Sequence, residues 1–260
     1  MKIKLQHIIF GLCLCLFTIG TMILYSKSKL ERKELTCERI EIKLVDDMQY
    51  VQEEDVRRYL RKELGELNGQ RLDSVQLYRI EQIIESKSAV KKCEAWTSRD
   101  GCLHIELSQR EPVIRFELGE KCFYADKEGF LFPLGQGKQV DVPVIKGAMP
   151  LNINENWRGE AQDEKSRTWV LGILSLREKI NGNHKLKKEL ESLSVRKNGD
   201  ICARLKECPT VFIFGQPDEL DKKMEGLQKY FEKIVPVKGD KYYKSVNLKY
   251  NKQIVCRTDM

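Results

Sequence analysis

A chain of 260 residues holds one or two domains of ordinary size. Its 46 basic and 39 acidic residues leave a net charge of +7, with the two signs interleaved almost everywhere. Lys185, Lys187 and Lys188 form the only basic cluster, and Glu189 and Glu191 offset it, so no nucleic-acid-binding tract is expected.

The first element is an uncharged, mostly apolar run from Ile8 to Tyr25. At 1.5 Å rise per residue it makes about 27 Å of helix, close to the thickness of a bilayer core. Residues 8–26 therefore predict one transmembrane helix, with residues 1–7 as a cytoplasmic tail and the large C-terminal part outside the cytoplasm. A cleaved signal peptide has a shorter apolar core and a small-residue cleavage site, and only Ser26 and Ser28, set among lysines, offer one. Cys13 and Cys15 lie inside the run. Of the nine cysteines this leaves seven, an odd number that cannot pair completely within one chain. No CxxC occurs and, beyond His7 at the border of the apolar run, the histidines are only His104 and His184, so neither a disulfide framework nor a metal centre is expected. If Asp100-Gly101 is a hairpin turn, Cys102 faces Arg99 and not Cys93.

Residues 27–36 read as a polar spacer. Ile40, Ile42 and Leu44 then alternate with charged residues and predict a half-buried strand. Gln52 to Leu64 is amphipathic, acidic in its first turn and stopped by Gly65. A second helix is expected to start at Asp73 or Ser74, with Leu77, Ile80, Ile83 and Ile84 as its apolar face. Val90–Thr97 and Cys102–Leu107 complete a β-α-α-β-β domain over residues 37–110.

The second domain, residues 111–260, reads as β-rich with flanking helices, which makes the whole chain α+β. Val113–Leu118, Lys121–Ala125 and Gly129–Pro133 predict a meander. Val142–Ile145 reads as an edge strand or a strand start because of Pro143. A helix over Asp163–Lys179 should fill the second core with Trp169, helped by Trp157. Leu193–Arg196, Asp200–Leu205 and Thr210–Phe214 follow as strands, the first two joined by a two-residue turn at Asn198-Gly199. Another helix opens at Pro217 and runs to Glu232. Ser245–Tyr250 and Gln253–Arg257 alternate and close the chain. Gly135-Gln136-Gly137 and Asn152–Asn156 read as flexible loops.

Several segments, taken together, resemble the FtsQ/DivIB family of bacterial cell-division proteins. Val51-Gln52-Glu53-Glu54-Asp55-Val56 is similar to the family's entry into its first POTRA helix. Ser88-Ala89-Val90-Lys91-Lys92-Cys93 resembles its strand after the second helix, with Ser88 in place of proline. Leu103 to Val113 is similar to its L-x-I-x-V-x-E-R-x-P junction, with Gln109 in place of the acidic residue. Tyr124 to Pro133 resembles its glycine hairpin, and Val246-Asn247-Leu248-Lys249-Tyr250 its V-D-L-R-Y strand.

The resemblance implies a POTRA module followed by the family's β domain, in a single-pass inner-membrane scaffold concentrated at the division site. It implies no catalytic site, no cofactor and no small-molecule substrate. It also implies that a C-terminal edge strand docks an FtsB/DivIC-type partner, itself paired with an FtsL-type protein. Lys249, Tyr250, Gln253 and Val255 are the matching partner-binding candidates. A POTRA-bearing secretion or assembly factor is the alternative, although neither a tandem repeat nor a barrel pattern is seen. Ser-x-x-Lys recurs at Ser26/Lys29, Ser88/Lys91 and Ser194/Lys197 without the companion Lys-Thr-Gly strand that such catalysis needs.

Overall fold

A computed structural model describes residues 2–87, 89–134, 140–154, 157–184, 186, 188–250 and 253–258. The expectations resting on Ser88, Gly135-Gln136-Gly137, Asn156, Lys185 and Lys187 lie outside the described residues. The chain divides into two compact units, Met1–Gln109 and Arg110–Met260.

The first unit opens with helix α1, Lys2–Glu34. Its large apolar side chains from Phe10 to Tyr25 face outward, Met22 being 72% exposed and Phe17 71%. Among the described residues, no helix is long and apolar enough to cross a membrane. Strand β1 (Arg39–Leu44) follows, then α2 (Glu53–Leu64), a 3-10 turn (Leu72–Ser74) and α3 (Leu77–Glu85). Strands β2 (Val90–Thr97) and β3 (Cys102–Gln109) complete a three-stranded sheet in the order β1-β3-β2. β1 runs parallel to β3, which requires the crossover that α2 and α3 supply.

The alternation in β3 is carried into the core. Leu103, Ile105 and Leu107 are at most 1% exposed, as are Val56 of α2 and Ile80 and Ile84 of α3. Full burial of such a side chain stabilises by roughly 1.5–3 kcal/mol relative to leaving it in water. At the entry to α2, Gln52 and Asp55 form a reciprocal capping box. The second helix starts at Leu77 and not at Asp73 or Ser74. Leu72 is tucked inward in the 3-10 turn, and Val75 takes an extended backbone that separates the turn from the helix. Ser98 N–H donates to the Cys102 carbonyl at 2.9 Å, so the β2–β3 turn has three residues and Cys102 closes it against Ser98 rather than facing Arg99. Cys93 lies opposite Leu107, and the described cysteines are all free thiols.

Among the described residues the second unit is one nine-stranded mixed sheet with helices packed on it. Its strands are β4 (Ile114–Leu118), β5 (Lys121–Ala125), β6 (Leu131–Phe132), β7 (Val144–Gly147), β8 (Leu190–Val195), β9 (Ile201–Leu205), β10 (Val211–Gly215), β11 (Ser245–Asn247) and β12 (Val255–Arg257), in the order β12-β11-β10-β9-β8-β7-β4-β5-β6. Helix α4 (Glu164–Asn181) connects the parallel pair β7 and β8, and α5 (Leu220–Lys229) lies in the connection between the parallel pair β10 and β11. A π-helical turn, Tyr230–Ile234, extends α5. Asp163 caps α4 by accepting from Ser166 N–H at 2.9 Å. Trp169 is buried among Phe116, Ile173 and their neighbours, and Trp157 packs against the same core from its margin.

Pro143 precedes β7, which is no edge strand: β4 flanks it on one side and β8 on the other. Proline sits just before the ladder, where its missing N–H costs no bond. Gly147 ends β7 at φ +108°, and a Cβ there would lie 2.2 Å from the Val195 carbonyl oxygen. Between β8 and β9, Arg196 N–H bonds the Asp200 carbonyl and Gly199 adopts φ +83°. The connection is therefore a three-residue loop, Lys197 to Gly199, and not a two-residue turn. The meander is tightened by Asp126, whose Oδ1 accepts from the N–H groups of Glu128 and Phe130 at 2.9 and 3.0 Å. That loop shortens the third meander strand to Leu131–Phe132. The last two strands are likewise shorter than the alternation suggests, because pairing stops at Asn247 and resumes at Val255.

Candidate partner-binding edge

A sheet edge presents unpaired backbone groups, and most proteins close their edges. Three of the four edges here carry such closures. On the far side of β2, the carboxylates of Glu85 and Glu81, one turn apart on α3, accept from the N–H groups of Cys93 and Ala95 at 3.0 and 2.8 Å. On β1 the Arg57 guanidinium donates to the Ile40 carbonyl at 2.8 Å. Beyond β6, Leu131 and Gly159 exchange backbone hydrogen bonds of 2.8 and 3.0 Å. β12 is the fourth edge, and among the described residues no strand or bridge lies beyond it.

β12 is amphipathic around that edge. Ile254 and Cys256 pack against the core, while Val255, 36% exposed, and Arg257 point outward. Burial pushes the Cys256 thiol above its usual range, so it stays protonated and apolar near neutral pH. Of the four partner-binding candidates, Val255 alone lies on the edge strand. Lys249 and Tyr250 follow β11, and Gln253 precedes β12, its N–H bonding the Tyr250 carbonyl at 3.3 Å. Lys249, Tyr250 and Gln253 are nonetheless brought together along a cleft of about 530 Å³ between α5 and the last hairpin, which Gly226, Leu248 and Ile254 also line. Tyr250 is 53% exposed, so its ring is not a core filler. Val255 lines a second cleft, of about 310 Å³, which it shares with Lys249, Arg196 and Arg257.

Lys249 differs from the other three candidates. Its ammonium donates to Asp200 Oδ2 at 2.8 Å, and the Asp200 side chain is only 12% exposed. Burial opposes ionisation of Asp200, but hydrogen bonds from Lys249 and Asn198 outweigh it and hold the carboxyl below its usual range. The same bond raises Lys249. The depressed carboxyl contributes stability above the unfolded value near pH 4, lost as pH falls through the lower folded value. The raised lysine contributes below about pH 10.4, lost as pH rises through the folded value. Lys249→Met should therefore cost roughly 1–3 kcal/mol at pH 7 in urea unfolding, by leaving Asp200 without its charged partner. The gap from the wild type should narrow at pH 3. A gap that is the same at both pH values would contradict this role.

Matching family descriptions cover both units: FtsQ/DivIB, C-terminal related, over residues 111–257, more than half of the chain, and POTRA-like domain over residues 35–108. The chain belongs to the FtsQ/DivIB family. No curated protein matches it. Membership makes this a division-related scaffold built from non-enzymatic domain types. In this FtsQ/DivIB chain the POTRA-like match lies within the first unit and the C-terminal match within the second. Sequence reasoning missed the closure of three edges, because Glu81, Glu85, Arg57 and Gly159 carry no strand signal of their own. It also missed the convergence of Glu41, Cys102 and His104, whose ligand-type atoms lie within 4.8 Å of one another.

Proposed function

We propose that this protein is a bitopic scaffold of the division complex, and that the β12 edge docks a strand of an FtsB/DivIC-type partner, itself paired with an FtsL-type protein. The observation that supports this reading is the contrast between edges: among the described residues no strand or bridge lies beyond β12, while the other edges are bridged or capped. A partner strand added there gains main-chain hydrogen bonds, and its side chains meet Val255 and Arg257 on one face and the Tyr250–Gln253 cleft on the other.

The residues 8–26 serve as a single membrane anchor, with the N-terminus in the cytoplasm. Three observations support it. The run lacks charge, its large apolar side chains from Phe10 to Tyr25 are exposed, and the hydroxyls of Thr18, Thr21 and Ser26 are satisfied within the helix. Thr18, Thr21 and Ser26 donate to the carbonyls of Cys15, Thr18 and Met22, each at 2.9 Å. Alkaline extraction of membranes tests the anchor: the protein should stay in the pellet, and release into the supernatant would refute a span.

For the docking edge, Tyr250→Glu should weaken capture of the FtsB/DivIC-type partner at least tenfold and leave the thermal transition nearly unchanged. Loss of both would return the ring to a structural role. A fluorescent fusion at the N-terminus should form a band at the division plane before constriction ends. An even halo around dividing cells would sink the scaffold reading.

A further inference from the structure

The outer face of the POTRA-like sheet, opposite the helices, carries a constellation that the division role does not use. In the parallel β1–β3 register, Glu41 lies beside His104 and Arg39 beside Cys102. Cys102 and His104 are two apart on β3, so their side chains share the face that Glu41 occupies on β1. His104 Nδ1 lies 3.3 Å from Glu41 Oε2 and 3.8 Å from Cys102 Sγ. A tetrahedral zinc ion, with bonds of about 2.3 Å to sulfur and 2.0–2.1 Å to nitrogen and oxygen, separates its ligand atoms by roughly 3.3–3.6 Å. The histidine-to-carboxylate separation matches such an edge, the histidine-to-sulfur one exceeds it by about 0.2 Å, and all three donor atoms lie within 4.8 Å of one another.

Their surroundings orient them for it. The Ser98 hydroxyl donates to Asp100 and lies 2.9 Å from His104 Nε2, placed to accept from the tautomer that carries its proton on that nitrogen. In that tautomer the Nδ1 lone pair is turned toward Glu41 and Cys102. A hydroxyl–carboxylate relay of this kind is how proteins fix the tautomer of a metal-binding histidine. Trp96 stacks on the imidazole, with centroids 5.2 Å apart and planes 12° from parallel, which fixes the ring's tilt. Arg39 Nε holds Glu41 Oε1 at 3.0 Å and leaves Oε2 for the cluster. Cys102 is fully buried.

We propose that Glu41, Cys102 and His104 bind one divalent cation of the zinc class, with water as the fourth ligand, and so tie β1 to β3. On binding, the Cys102 Sγ–H bond gives its proton to solvent and the thiolate ligates the metal. One carboxylate and one thiolate then neutralise the 2+ charge. The donor set of thiolate, imidazole and carboxylate favours zinc-like ions over magnesium or calcium, which take oxygen ligands.

The test is titration of the full-length protein in detergent, with thiols reduced, by cobalt(II) as a spectroscopic stand-in for zinc. One equivalent should bind with a thiolate-to-cobalt charge-transfer absorption, and zinc should abolish that absorption. Cys102→Ser should remove the charge-transfer absorption, His104→Ala should weaken binding at least a hundredfold, and Ser98→Ala, which keeps all three ligands, about tenfold. Charge-transfer absorption that persists in Cys102→Ser would place the metal on another thiol and overturn the assignment. If Cys102→Ser does not fold, the other two variants decide it: unchanged affinity in both overturns the site. None of these readouts depends on partner docking.

Discussion

Asp126→Ala should lower the stability of the β domain by roughly 3–5 kcal/mol, the usual cost of removing one partner from a buried ion pair. Arg110 Nη1 donates to Asp126 Oδ2 at 2.5 Å, and the two side chains are only 10% and 6% exposed. The guanidinium lies over Phe130, its central carbon 3.4 Å from the ring centroid. Alanine would leave that cation in the interior without an anion and would free the N–H groups of Glu128 and Phe130 that hold the β5–β6 turn. Asp126→Asn keeps an acceptor for those two groups but not the charge, and should recover about half of the loss. Denaturant unfolding followed at Trp157 and Trp169, in a Trp96→Phe background, would measure both. A cost below about 1 kcal/mol for the alanine variant would show that the pair contributes little.

Gly147→Ala should cost about 3 kcal/mol or more, because two penalties coincide. Backbone at φ +108° is strained for any residue with a side chain, and the new Cβ would collide with the Val195 carbonyl of the neighbouring strand. Neither strand can easily retreat, since β7 is held on both sides. Gly119 supplies the control. It also has positive φ, +66°, but nothing lies within 4 Å of a Cβ built there. Gly119→Ala should cost about 1–2 kcal/mol for conformation alone, and the difference between the two variants isolates the collision. Equal effects, read as shifts in urea midpoint, would mean that β7 and β8 move apart at little cost.

The elements with strong periodicity were legible in the chain itself. Leu103, Ile105 and Leu107 announce β3 by alternation, and Ile80 and Ile84 place α3 by helical spacing, since burial of one face decides both patterns. Boundaries were less legible where a local device intervened. The Asp126 side chain trims the meander, and an extended Val75 delays α3. Position within the sheet was not legible at all. Pro143 looks the same before a central strand as before an edge, and strand order in a mixed sheet depends on crossovers that no window of sequence contains. The candidate site divides along the same line. The closing hairpin and the outward Val255 follow from alternation, whereas the tie from Lys249 to Asp200 joins residues far apart in the chain. Glu41 and His104 meet for the same reason, through a strand pairing that spacing motifs do not encode.

From β7 to β12 the order of strands across the sheet is their order along the chain, so each strand joins the margin left by the one before it. A chain that stops short of Ser245 would end on β10, whose Val211-Phe212-Ile213-Phe214 is the kind of apolar margin that recruits other chains into aggregates. The short terminal hairpin covers it with strands of three residues each, Ser-Val-Asn and Val-Cys-Arg. The β11–β12 hairpin thus also acts as a solubility guard. Loss of the C-terminal residues would then show first as insoluble protein, before any question of recruitment arises.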